Sequence, residues 1–255
     1  MFKPIHATPQ NRLKLAFDWI PAGSQRLLDA GCAWGYGTHH YAAKTKDVCG
    51  CDPNTAFINQ ARNDYPAIKF ENCPIENTPY ENESFDVITL TDVLEHVDDE
   101  LSALNELCRV MKPGGLLIIT TPHKGLFSFM DTDNYAWHLR TKFPRLYRWI
   151  FRMKHGKDPL AKVGYESPHR HYNLDDFVNL LDRSAFNGCY EIQRVFRGGL
   201  IIGALGANIY ELLSIFTSVQ IVDKLIKPIG KLSDLDFFIN YGKLSWNIGI
   251  LIKKR

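Results

Sequence analysis

Apolar residues recur along this chain in two rhythms. Between residues 26 and 122, short and nearly continuous apolar runs alternate with stretches whose apolar positions return every three or four residues. The runs Arg26–Ala30, Val48–Cys51, Ile68–Glu71, Phe85–Leu90 and Leu116–Thr120 read as buried strands. Between them, Thr55–Tyr65 and Asp99–Met111 read as helices. Asn54 is placed to cap the first, and Lys112-Pro113-Gly114-Gly115 to stop the second. Such alternation predicts an α/β fold, a parallel sheet with helices on both faces. Ahead of it, Pro9 to Trp19 reads as an amphipathic helix through Leu13, Leu15 and Phe17, with Ile20 beyond. After it, Asn173 to Phe186 returns to helical spacing, and Tyr190–Phe196 and Trp246–Ile252 read as two further strands around a long apolar insertion. The stretch from His123 to His171 breaks the regularity and is expected to cover the active-site face.

Composition narrows the class only slightly. A chain of 255 residues, 45% hydrophobic and 23% charged, is long enough for a sizeable core and is not disordered. Thirty Lys and Arg against 28 Asp and Glu give a net charge of +2, too small to argue for a nucleic-acid partner. The six cysteines show no Cys-x-x-Cys pair and mostly sit in apolar runs, as small core residues of a reducing compartment do. Met1 to His6 opens no signal-peptide pattern, so a cytoplasmic location is expected.

The chemistry concentrates where the first strand ends. Leu27-Leu28-Asp29-Ala30 runs into Gly31-Cys32-Ala33-Trp34-Gly35-Tyr36-Gly37, a turn able to bring backbone close to a ligand. The second strand ends in Asp52, a carboxylate suited to a ribose diol. A tight strand-to-helix turn with no ligand is the plainer alternative, and a helix-terminal carboxylate the plainer account of Asp52. The spacing Gly31, Gly35, Gly37 is not Gly-x-Gly-x-x-Gly, and Asp29 would repel a pyrophosphate. A cationic or zwitterionic ligand such as S-adenosylmethionine suits this turn better than NAD.

From Leu28 to Gly35 the chain resembles the first motif of class I S-adenosylmethionine-dependent methyltransferases. The resemblance continues through Phe70 to Tyr80, Ser84 to Ile88, Asp92 to Val97 and Arg109 to Pro122, in that family's order and spacing. Leu94-Glu95-His96 and Thr121-Pro122 are similar to the branch holding ubiquinone-biosynthesis O-methyltransferases. The resemblance implies a Rossmann-like, doubly wound, mostly parallel seven-stranded sheet ending in an antiparallel pair. It implies one methyltransferase domain: a core of residues 20–122 and 172–198, a final strand at 246–254, and cap segments at 123–171 and 199–245. It also implies S-adenosylmethionine as cofactor. The backbone of Gly31, Cys32, Ala33 and Gly35 would pass the amino-acid and ribose portions, with Asp29 toward the ammonium. Asp52 would take the ribose hydroxyls, Pro53 and Ile75 would sandwich the adenine, and the Thr91 carbonyl would meet the ammonium. Pro74 stands where the family commonly has an acidic residue, which leaves adenine recognition to backbone groups or Glu76.

Methyl transfer to a hydroxyl needs alignment and a proton acceptor titrating near neutrality. His96, past the fourth strand, is the first candidate and His171 the second; each has a structural reading as a loop-bonding histidine. Asp92, Glu95 and His96 also have the spacing of metal ligands, with His169 or His171 to complete a set, although Asp92 and Glu95 equally suit a helix cap. No metal is assigned.

Two segments suggest a lipophilic acceptor. Arg140 to Lys154 is basic and aromatic without an acidic residue, with Phe143, Leu146, Ile150 and Met153 at helical spacing. It reads either as an interfacial helix or as one packed on the domain. Gly198 to Val222 is almost wholly apolar and long enough to span a bilayer, but Glu211 and its glycines oppose insertion. A substrate-covering helical pair is the better reading. The expected partner is a small-molecule or lipid-linked acceptor with peripheral membrane contact; no nucleic-acid recognition motif accompanies the basic stretch. Transfer to nitrogen or carbon, or a non-catalytic cofactor-binding subunit, are the alternatives.

Overall fold

The computed structural model describes residues 11–156, 158, 169–200, 206–217, 236 and 239–255. The chain divides into two compact units. The first comprises Met1–Thr121, Tyr172–Phe196 and Ile248–Arg255; the second comprises Pro122–His171 and Arg197–Asn247.

A seven-stranded sheet organises the fold. Its strands are β1 (Ser24–Ala30), β2 (Thr45–Cys51), β3 (Lys69–Glu71), β4 (Phe85–Thr91), β5 (Met111–Pro122), β6 (Tyr190–Gly198) and β7 (Asn247–Lys254). They lie in the order β3-β2-β1-β4-β5-β7-β6. The first five are parallel. β7 runs antiparallel to its neighbours: the His123 N–H donates to the Trp246 carbonyl, while the Arg255 N–H reaches the Cys189 carbonyl at the strand's other end. The helices are α1 (Asn11–Trp19), α2 (Tyr36–Tyr41), α3 (Thr55–Asp64), α4 (Glu100–Val110), α5 (Thr132–Lys142), α6 (Pro144–His155), α7 (Leu174–Arg183) and α8 (Gly206–Phe216). The mixed, mostly parallel sheet is the one the alternating pattern and the resemblance imply.

Burial on both faces explains why the strands read as continuous apolar runs. Leu27, Val87 and Ile118 join one apolar cluster, while Leu28, Ile88, Leu117 and Ile119 join another. Successive residues of one strand point to opposite faces, so both layers must be apolar. Each such side chain contributes about 1.5–3 kcal/mol on burial. Capping follows the local chemistry. The Asn54 side chain accepts from the Ala56 and Phe57 N–H groups to start α3, and Asn173 and Asp176 form a reciprocal capping box on α7.

One boundary differs from expectation. Strand β5 begins at Met111, directly after α4, rather than at Leu116. Its register with β4 jumps from Phe85–Met111 to Val87–Leu116, so Lys112 to Gly115 form a bulge rather than a free turn. Gly114 takes φ +77°, and a Cβ on Gly115 would lie 2.8 Å from the Lys112 carbonyl oxygen.

In the second unit, α5, α6 and α8 pack on one another. The basic tract from Arg140 is split there: α5 ends at Lys142 and α6 starts at Pro144. Proline disfavours helical backbone in the residue before it, and Phe143 accordingly sits at φ −132°, ψ 60°. Trp149, rather than the half-buried Ile150, is exposed alongside Leu146 and Met153. Of the apolar stretch Gly198–Val222, residues 201–205 and 218–222 lie outside the described residues. Among the described residues no helix is long and apolar enough to cross a membrane.

Candidate functional site

The parallel register places Ala30 beside Cys51, so the residues following these two strands emerge side by side. The Cys51 carbonyl accepts from both the Gly31 and Cys32 N–H groups, at 2.8 and 2.9 Å. The Gly35 N–H then closes the turn on the Cys32 carbonyl at 2.8 Å. Gly31 and Gly35 have φ of +77° and +75°, and Ala33, bearing a Cβ, is also left-handed at 45°. Packing alone requires glycine twice. A Cβ on Gly31 would lie 2.3 Å from Val93 Cγ2, and one on Gly35 would lie 2.6 Å from Phe70 Cζ.

Asp52 sits half-buried at the end of β2 and meets this turn directly. Its Oδ2 accepts the Ala33 N–H at 3.1 Å and its Oδ1 the Asn54 N–H at 2.8 Å. Burial pushes its pKa above the usual carboxylate value, against the pull of those two N–H groups. Pro53, next in the chain, is exposed. Asn72 donates its side-chain amide to the Asp52 carbonyl at 2.9 Å, so the segment after β3 is tied to the same tip. That segment carries exposed Pro74, whose carbonyl accepts the Asn77 N–H, and Ile75, which is buried in the main apolar core.

Asp29 lies beneath the turn and is buried. Thr38 donates to its Oδ2 at 2.6 Å and Thr89 to its Oδ1 at 2.8 Å. Burial raises its pKa to about 6 against the help of both hydroxyls, and the neighbouring Asp52 charge adds to the rise. Asp29 therefore senses the Asp52 charge, and the site carries two carboxylates. Sequence reading missed both threonines. Thr89 had a signal, since it is a polar residue in an apolar run and lies beside Asp29 in register.

Thr91 ends β4, with its hydroxyl 3.4 Å from that of Tyr41. Asp92 follows at φ 57° and forms an ion pair with Arg12 at 2.8 Å. Glu95 is buried and accepts the Thr121 hydroxyl at 2.9 Å. Burial, then the Asp92 charge, lift its pKa to about 8, with Arg12 and Thr121 opposing. Arg12 and Thr121 thus engage the two carboxylates of the possible metal triad. Among the described residues, no group of three or more His, Cys, Asp and Glu side chains is arranged to hold an ion. His96 closes the short helical turn Leu94–His96 and is exposed.

His171 belongs to the second unit, where it and His169 share one buried carboxylate that sequence reading did not single out. Asp131 Oδ2 lies 3.0 Å from His171 Nε2 and 3.3 Å from His169 Nδ1. A neutral His171 donating through Nε2 carries its lone pair on Nδ1. In the same unit His123 is buried with Nδ1 2.8 Å from Ser245 Oγ, and burial pushes its pKa down. The predicted residues therefore divide. Asp29, Gly31, Cys32, Ala33, Gly35 and Asp52 come together; Thr91 and His96 lie at or beyond the tip of β4 in the same unit, and His171 is in the other.

Comparison with known proteins bears on the fold and on the segment that holds these residues. Residues 28–119 match the family described as "Methyltransferase domain". A probable S-adenosylmethionine-dependent methyltransferase of Mycolicibacterium smegmatis is 32% identical over 115 residues, 45% of each chain. A ubiquinone biosynthesis O-methyltransferase of Hahella chejuensis is 32% identical over 149 residues, 56% of this chain and 63% of that one. The chain thus spans about half to under two-thirds of the length of these curated relatives. The solved structure of an S-adenosylmethionine-dependent methyltransferase from Mesorhizobium loti has the same fold, with a TM-score of 0.57 at 17% identity over 95% of this chain and 98% of that one. Residues 28–119 thus carry the sequence signature of a methyltransferase domain, in a chain whose fold is that of solved S-adenosylmethionine-dependent methyltransferase structures.

Proposed function

We propose that this protein transfers a methyl group from S-adenosylmethionine to an oxygen of a small lipophilic, lipid-linked or glycan acceptor. The observation that carries this reading is Asp52 at the tip of β2. Each of its oxygens takes one backbone N–H and retains a further acceptor lone pair. A ribose diol would donate to that carboxylate through short, charge-assisted bonds. The surrounding groups fit the rest of the cofactor. Asp29 and Asp52, the second of which raises the pKa of the first, give this end of the sheet an anionic character suited to a molecule bearing an ammonium and a sulfonium. The backbone from Gly31 to Gly35 would lie along its amino-acid and ribose portions, the Thr91 carbonyl would meet the ammonium, and Pro53 would offer apolar surface to adenine, whereas Ile75, expected on its other face, is buried in the core.

When bound, S-adenosylmethionine supplies a methyl carbon already activated by its sulfonium. The protein's remaining tasks are alignment and removal of the acceptor's proton. His96 is proposed for that proton because it is exposed and lies just beyond β4. His171, oriented by Asp131, is the second residue proposed for it. The oxygen acceptor is favoured by the resemblance of the Leu94-Glu95-His96 segment to the ubiquinone-biosynthesis O-methyltransferase branch. A cytoplasmic site of action is supported by the six free cysteines.

Calorimetry with S-adenosylmethionine, followed by transfer of radiolabelled methyl into lipid and saccharide extracts, tests the reading. Saturable binding with labelling of a base-stable O-methylated lipid or glycan product is the expected result. Binding without any labelled product assigns the chain to a non-catalytic subunit, and a labelled amine or carbon centre assigns it to another acceptor class. Absence of cofactor binding overturns the reading.

A further inference from the structure

Among the described residues, every exposed large apolar side chain except Trp34 belongs to the second unit. The densest group lies on α6 and α8, which pack together. Leu146, Trp149 and Met153 follow helical spacing and form one exposed stripe on α6, with Trp149 57% exposed. Arg145, Arg148 and Arg152 each stand one residue earlier and line a second exposed stripe, about 100° around the helix. Tyr147, Ile150 and Phe151 are half-buried instead. A helix that merely packed on a domain would expose its arginines and bury its leucine and tryptophan. Here both stripes face outward. On α8, Ile209, Leu212 and Leu213 add a further exposed apolar face.

Charge identifies the occupant. Residues 140 to 154 hold six Lys and Arg and no Asp or Glu; beyond them, Asp158 binds Arg152 at 2.5 Å. A second copy of this face would set like charges against each other, which is unfavourable. A surface combining phosphate groups with an apolar layer beneath satisfies both stripes at once. We propose that α6 and α8 dock the protein on anionic phospholipid, with α6 lying in the plane of the interface. Trp149, Leu146 and Met153 enter the acyl boundary, and Arg145 and Arg148 meet the phosphates. Nothing crosses the bilayer in this arrangement.

Flotation of the full chain with vesicles tests the proposal without reference to methyl transfer. Mixed phosphatidylglycerol–phosphatidylcholine vesicles are compared with phosphatidylcholine alone, at low and high salt. The protein should float with the anionic vesicles at low salt and hardly at all with the neutral ones. Raising salt, the pair Arg145→Glu/Arg148→Glu, and the pair Leu146→Ser/Trp149→Ser should each weaken binding about tenfold or more. All four side chains are exposed, and unchanged circular dichroism melting of each variant excludes misfolding. Absence of flotation, equal flotation on neutral vesicles, or undiminished binding of the charge-reversed pair overturns the proposal. So does a concentration-dependent dimer that the same substitutions abolish.

Discussion

Ala33 donates its backbone N–H to Asp52 Oδ2 at 3.1 Å, joining the glycine turn after β1 to the tip of β2. The bond fixes one carboxylate oxygen by a main-chain group, so the orientation of Asp52 does not depend on any neighbouring side chain. It also leaves a lone pair on each oxygen for a ligand.

Replacing Asp52 by Asn should therefore cost the ligand more than the fold. The amide keeps one acceptor for the backbone but loses the charge that strengthens bonds from ribose hydroxyls. Calorimetry should show S-adenosylmethionine affinity reduced about tenfold or more, the worth of one charge-assisted hydrogen bond at ~1.5–3 kcal/mol. Unfolding stability should change by less than about 1 kcal/mol, as for a partly exposed site. Unaltered affinity would remove Asp52 from the cofactor site.

Gly31→Ala tests the opposite balance. Left-handed backbone costs an alanine about 1–2 kcal/mol, and the new Cβ would lie 2.3 Å from Val93 Cγ2. Overpacking adds about 1–3 kcal/mol. In urea unfolding, Gly31→Ala/Val93→Ala should recover the second part and not the first. Strict additivity of the two substitutions would show that Val93 does not limit the turn.

These two residues also mark how far the sequence can be read. The turn, Asp52 and the parallel strands were legible because a doubly covered parallel sheet needs continuous apolar runs, and because glycine is the cheapest residue at a left-handed position. Val93 was not legible: nothing local says that a half-buried valine beyond β4 packs on a glycine 62 positions earlier. Strands β1 and β2 begin in polar Ser24 and Thr45, which an apolar pattern cannot mark. Asp131 was missed for a related reason. Its importance comes from two histidines about 40 positions away that share one oxygen, and an isolated aspartate between helical stretches looks like a solvated loop residue.

Glu106 holds the segment that follows Pro74 and Ile75. Its Oε1 accepts the Thr78 N–H at 2.8 Å and hydroxyl at 2.6 Å, and Arg109 grips both oxygens while also donating to the Tyr80 carbonyl. The Arg109 hydrogen bonds, assisted by Thr78, lower its pKa to about 2. A depressed carboxylate stabilises the fold above its ordinary value of 4.5, and that contribution is lost as pH falls toward 2. Glu106→Gln should cost about 1–3 kcal/mol at pH 7. Urea midpoints between pH 2 and 6 should decline less steeply in the variant than in the parent; equal slopes would discount the pairing.

Glu95 behaves with the reverse sign. Its pKa is raised to about 8 by burial first and by Asp92 second, so the folded protein keeps a proton there that the unfolded chain releases near 4.5. Stability from this group is complete below 4.5 and drains away as pH climbs toward 8. Asp29 adds the same trend only up to about 6, so between pH 6.5 and 9 the difference between parent and variant reports Glu95. Glutamine is nearly isosteric, cannot ionise, and can still accept the Thr121 hydroxyl through its amide oxygen. Thermal unfolding across that window should fall for the parent and stay nearly flat for Glu95→Gln, with the variant the more stable at pH 9. Because the buried proton is what sets this slope, parallel melting curves would mean that the Glu95 carboxyl is already ionised in the folded protein near neutrality.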